Sequence, residues 1–177
     1  MKNQNTKRLA YAALFLALCL VLPMLTGQIP QIGSMLLPMH IPVLLCGLVC
    51  GWQYGAAVGF VAPLLRSVLF GMPPMYPVAI AMAFELLTYG LVIGLVYRRL
   101  ALAGVYAALV TAMVAGRLVW GVAEVVLLGL GGKAFTAQAF LAGALLNAVP
   151  GIIVQLVLIP AVMAALQKAG AVKEYAE

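Results

Sequence analysis

Six side chains with chemistry to offer interrupt the long apolar runs of this sequence: Arg66, Glu85, Arg117, Trp120, Glu124 and Asn147. A charge set inside an apolar run costs free energy and by default marks function. Arg117, Trp120 and Glu124 follow an i, i+3, i+7 spacing, which puts a cation, an indole and a carboxylate on one stripe of a helix. Two arginines suit a carboxylate, which guanidinium binds bidentately. Two glutamates suit a basic or hydrogen-bond-donating ring equally well, and the charge balance does not choose between them. The structural alternative is that Arg66 pairs with Glu85, and Arg117 with Glu124 or a neighbour, because buried charges usually pair. His40, the one histidine, falls in a Pro-rich connecting segment, where it is expected as a loop residue donating to backbone, and Tyr76 falls in the tight outer turn Met72-Pro-Pro-Met-Tyr-Pro77.

The elements that carry these residues read as membrane spans. Hydrophobic residues make up 66% of the chain and charged residues 8%, against roughly 25% charged in a soluble domain. Six spans are expected, at about 9–27, 36–51, 53–71, 76–97, 103–130 and 135–166, from the ~20 apolar residues a crossing needs. Lys2, Lys7, Arg8, Arg98, Arg99, Lys168 and Lys173 fall on one side of that arrangement, and only Lys133 on the other. The positive-inside rule then places both termini in the cytoplasm. Lys7-Arg8 before an apolar stretch resembles a signal peptide. No small-residue cleavage site follows, so the stretch is read as the first helix. The expected fold is a single all-α integral membrane domain, a six-helix bundle with a structured outer loop between its first two helices.

Estimated at ~1.5 Å per residue, the intramembrane polar groups share the outer half of the bilayer. That placement calls for one polar chamber under the Pro-rich segments around 28–42 and 72–77. The second span is the anomaly. Its uninterrupted run, Ile41–Gly51, is too short to cross alone, so it must borrow the Leu36 end or sit packed by protein. Small residues recur four apart, at Ala13 and Ala17, Gly47 and Gly51, Gly55 and Gly59, Gly90 and Gly94, Ala108 and Ala112, Ala139 and Gly143. Such pairs let helix backbones approach closely. Ala13 and Ala17, on the opening helix with fewest neighbours, are free to serve a partner.

Several classes are excluded. The net charge of +6 lies at cytoplasmic helix ends, where anionic lipid attracts it, and does not suggest nucleic acid. Cys19, Cys46 and Cys50 lack metal spacing, and Met35, Met39, Met72 and Met75 form a rim better suited to adaptable packing than to copper, so no metal and no cofactor are expected. The sequence contains no HExxH, no nucleophile elbow, no phosphate-cradling Gly-Lys loop and no aspartate, so it is not expected to be an enzyme.

Four segments carry a family resemblance: Ala13-Leu-Phe-Leu-Ala17, Leu37-Pro-Met-His-Ile-Pro-Val43, Pro63-Leu-Leu-Arg66 and Gly71-Met-Pro-Pro74. With six spans and an outer loop before the second helix, the chain resembles the S components of energy-coupling factor (ECF) vitamin transporters. The resemblance implies a subunit of a prokaryotic plasma membrane that captures a vitamin or cofactor precursor from outside. It also implies partners, a transmembrane coupling subunit and two ATPases that hydrolyse the ATP, with Ala13 and Ala17 at the coupling contact. Arg66, Glu85, Arg117, Trp120, Glu124 and Asn147 would then line the pocket, with His40 and Tyr76 as lid residues. The rival reading is a non-transporting membrane scaffold. A self-contained secondary transporter is disfavoured by the lack of an internal repeat.

Overall fold

The computed structural model describes residues 2–25, 35–100, 104–132, 136–143 and 148–170. These form α1 (Lys2–Leu25), α2 (His40–Cys50), α3 (Trp52–Phe70), α4 (Ile80–Leu100), α5 (Gly104–Leu130), the short α6 (Ala137–Leu141) and α7 (Val149–Lys168). A kinked turn, Met75–Ala79, with Tyr76 extended at φ −118° and ψ 132°, leads into α4. Five of the helices are long and apolar enough to cross a membrane, and no strand occurs among the described residues. The protein is an all-α membrane bundle. Its long helices run between an end carrying Lys7, Arg8, Arg98, Arg99 and Lys168 and an opposite, Pro-rich end.

The anomalous second span is resolved by packing. At eleven residues, α2 is ~16 Å long, about half of a ~30 Å hydrocarbon layer. It packs against α1, α3, α4 and α7, and nine of its residues are buried. The half-helix therefore survives by being enclosed in protein. Residues 35–36 are helical too, but Leu37 takes a left-handed φ of 51° and breaks the run before Pro38. A leucine in that conformation is strained by ~1–2 kcal/mol. The turn is held by the His40 amide donating to the Leu37 carbonyl (3.0 Å). At the other end, α2 and α3 are joined by Gly51 alone, with φ 96°, a geometry glycine adopts without steric cost.

Glycines make the enclosure possible. A Cβ on Gly90 of α4 would lie 2.2 Å from the Gly55 backbone of α3, and one on Gly59 would lie 2.2 Å from the Leu86 carbonyl oxygen of α4. A Cβ on Gly47 of α2 would lie 2.8 Å from the Gly90 carbonyl oxygen. The small-residue pairs of α3 and α4 thus form a backbone-to-backbone seam, as membrane helices require where no hydrophobic effect drives them together. Gly51 is the exception, a turn residue with open space around its α-carbon. Ala13 and Ala17 are exposed on α1, whose inward face is Ala12, Phe15 and Cys19.

Gly90→Ala is expected to lower stability by roughly 1–3 kcal/mol through overpacking. Gly129→Ala, where an added Cβ meets nothing within 4 Å, is expected to be neutral or slightly stabilising. Thermal unfolding of the two variants in one detergent checks the seam. Equal effects would show that the close approach is not maintained.

Candidate functional site

The site forms at half depth, where α2 begins. Glu85 stands thirteen residues from Arg98 along α4, and Arg117 thirteen from Gly104 along α5, ~20 Å from the basic end in both cases. Arg117 Nη1 lies 2.9 Å from Glu85 Oε1, and His40 Nε2, at the first residue of α2, lies 3.5 Å from the same oxygen. Glu85 and His40 are 1% exposed. The Tyr89 ring, one turn along α4, meets His40 edge-on at 5.2 Å, and its hydroxyl is within electrostatic reach of Glu85. That ring occupies a notch at Gly116, where a Cβ would lie 2.0 Å from Tyr89 Cε1. A glycine immediately before Arg117 is thus what lets α5 bring its guanidinium to Glu85.

Trp120 continues the stripe. Its ring is 6.0 Å from the Arg117 guanidinium carbon, within cation–π range. The indole also stacks on Phe140 of α6, at 6.1 Å and 26°. Gly121 and Gly143 leave the space for that stack, since a Cβ on either would clash with Phe140 or Trp120. Glu124, one turn further, is buried, within electrostatic range of Glu85, and has no ion-pair partner among the described residues.

Arg66 is placed elsewhere, and the Arg66–Glu85 pairing is corrected. Its guanidinium donates to the Leu20 carbonyl of α1 and lies 5.2 Å from the Phe70 ring centroid. The reason lies in α1. Pro23 cannot donate to the Cys19 carbonyl, and Arg66 donates to the neighbouring Leu20 oxygen. Arg117 pairs with Glu85 and not with Glu124. His40 is likewise no lid residue but a buried member of the cluster. Tyr76 stays at the Pro-rich rim, where its hydroxyl donates to the Leu127 carbonyl and ties the Met75–Ala79 turn to the end of α5. Asn147 lies outside the described residues.

Two residues were missed by sequence reasoning. Tyr89 gave no signal beyond an aromatic in an apolar run, although Glu85 and Tyr89 are i, i+4 and so share a face. Gln155 of α7 is 1% exposed and thirteen residues from Lys168, at the level of the cluster. An amide in an apolar span was the available clue. Among the described residues, no three His, Cys, Asp or Glu side chains come together as a metal site.

The arrangement gathers polar side chains in the interior of the bundle. Several of its buried polar atoms make no hydrogen bond: both His40 nitrogens, Glu85 Oε1, Arg117 Nε and Nη2, and Gln155 Nε2. The contact between Arg117 and Glu85 is close but not aligned as a hydrogen bond. Fold and site together define a multi-pass membrane protein with a cluster of polar side chains enclosed at half depth. The sequence matches the family model described as ECF transporter, substrate-specific component, over residues 7–164, and the chain belongs to that family. It is therefore a transporter subunit, not an enzyme. No curated protein and no solved structure matches it closely enough to be called similar.

Removing one partner of a buried pair leaves an uncompensated charge, so Arg117→Leu is expected to destabilise by roughly 3–5 kcal/mol. Adding Glu85→Gln to that variant should restore part of the loss, whereas Glu85→Gln should not rescue Arg66→Leu. A double-mutant cycle on thermal unfolding measures both couplings. Coupling of Glu85 to Arg66 rather than to Arg117 would refute the pairing.

Proposed function

We propose that this chain captures a vitamin or cofactor precursor from outside a prokaryotic cell and delivers it inward through an ATP-driven coupling module. The observation that carries this reading is the set of buried, unpaired hydrogen-bonding groups around His40, Glu85 and Arg117. Buried polar groups without partners are costly, and a small molecule that completes them is bound selectively for the same reason. A scaffold has no use for such a cluster.

The basic end is cytoplasmic in this proposal, as the excess of Lys and Arg there favours, and anionic lipid surrounds it. The substrate then enters from the Pro-rich end, past Tyr76 and the 72–77 turn, with Trp120 and Glu124 lining the way, and Asn147 is proposed as a further binding residue. ATP hydrolysis belongs to two partner ATPases. The coupling subunit docks on the exposed stripe of α1 at Ala13 and Ala17, where small side chains permit close helix approach.

Two measurements test this. A panel of B vitamins and their precursors is screened against the detergent-purified protein by thermal unfolding. A bound substrate at a thousandfold excess over Kd should add ~4 kcal/mol of apparent stability. Ala13→Trp and Ala17→Trp should leave that shift intact and abolish co-purification with the coupling subunit. Loss of substrate binding with an intact complex would overturn the assignment of the α1 stripe.

A further inference from the structure

Which chemistry the substrate presents can be read from which edge of Arg117 is left over. Guanidinium has only donors, arranged in a planar fork. The Nη1 group faces Glu85 Oε1 at 2.9 Å. The unpaired atoms are Nε and Nη2, both buried. These two form the side-on edge of the group, whose parallel N–H bonds match the two oxygens of a carboxylate. The edge used by Glu85 and the edge left open are therefore different, and one guanidinium can hold both acids at once.

A second donor stands at the same level. Gln155 Nε2 is buried without a hydrogen-bond partner. It lies one turn below Gly151, against which the Met35 and Leu36 backbone packs on its way to His40. Helix α7 packs on both α2 and α5, the helices that carry His40 and Arg117. Unpaired donors thus stand on two further helices, α5 and α7, at the level of His40, which is 3.5 Å from Glu85.

We propose that the substrate carries a carboxylate, bound side-on by Arg117 through Nε and Nη2, and that Gln155 is a binding residue for it. Glu85 neutralises Arg117 across the Nη1 edge, and His40 with the positive N-terminal turn of α2 meets the second acid's charge. This inference rests on the substrate-subunit reading above and narrows it to acidic substrates.

The test uses an aqueous small-molecule extract of the producing cells, split at neutral pH on a quaternary-ammonium resin into retained (anionic) and unretained fractions. Each is assayed for thermal stabilisation of the detergent-purified protein. The retained fraction should stabilise it. Stabilisation by the unretained fraction alone would overturn the carboxylate and leave the substrate subunit standing, whereas no stabilisation by either fraction would remove both.

Two variants locate the contact. Arg117→Lys keeps a cation beside Glu85 but lacks the side-on edge, and should weaken the stabilising activity at least tenfold in the concentration required. Gln155→Leu removes an unpaired buried donor, so the variant without extract should unfold at the same or a higher temperature while its affinity falls about tenfold. A lower unfolding temperature with unchanged affinity would make Gln155 structural and refute its role.

Discussion

A carboxylate at the middle of a membrane protein dictates most of this structure. An isolated ion there is unfavourable by several kcal/mol even after relaxation, so Glu85 must be met by groups from other helices. Arg117 and His40 meet it at one oxygen, from α5 and α2. This requirement accounts for two otherwise odd features. Helix α2 begins at half depth because its first residue, His40, has to be there. Helix α5 carries glycine at 116 because Tyr89 stands between the helices at the level where Arg117 reaches across.

The half-length of α2 creates a second requirement. Non-helical backbone before His40 lies at membrane depth and survives only under protein cover. Packing of Met35 and Leu36 on Gly151 gives part of that cover, and the Cys19 thiol donates to the Met39 carbonyl at 3.7 Å. The rest comes from wrapping α2 on all sides, which four helices can do only if their backbones come close. Gly47, Gly55, Gly59 and Gly90 are the means. Their weakness in helix propensity, ~1 kcal/mol each against alanine, is offset by the contacts they permit.

Much of this was legible in the sequence, and the failures have physical causes. Apolar length and basic asymmetry reveal the class, and rise per residue puts Glu85 and Arg117 at a common depth. The glycine pairs of α3 and α4 were readable as packing surfaces. His40 was misread because the prolines around it signal broken helix without saying on which side the helix resumes. Here Pro42 lies in the first turn of α2, a position that tolerates proline. The partner of Arg66 was out of reach, since it depends on a carbonyl beside Pro23 in a different helix. Gln155 carries no charge, and its unpaired amide becomes visible only once burial is known.

The members of the cluster are not held alike. His40 and Glu85 sit on α2 and α4, which meet at the Gly47–Gly90 approach where backbone touches backbone. Ile93 Cγ2 of α4 lies in the same approach, and the seam sets how the helix carrying this histidine sits on the helix carrying this carboxylate. Arg117 and Gln155 arrive on α5 and α7. At the cluster, α5 is held against α4 by a ring in a notch, and side chains of that kind can change rotamer where a backbone seam cannot. The contacts made by side chains alone are therefore those of Arg117, Trp120 and Tyr89, beside a His40–Glu85 pair whose helices meet at the seam. Rigid placement of one half of a site with adaptable placement of the other is what holding an orienting group while accommodating a bound one demands.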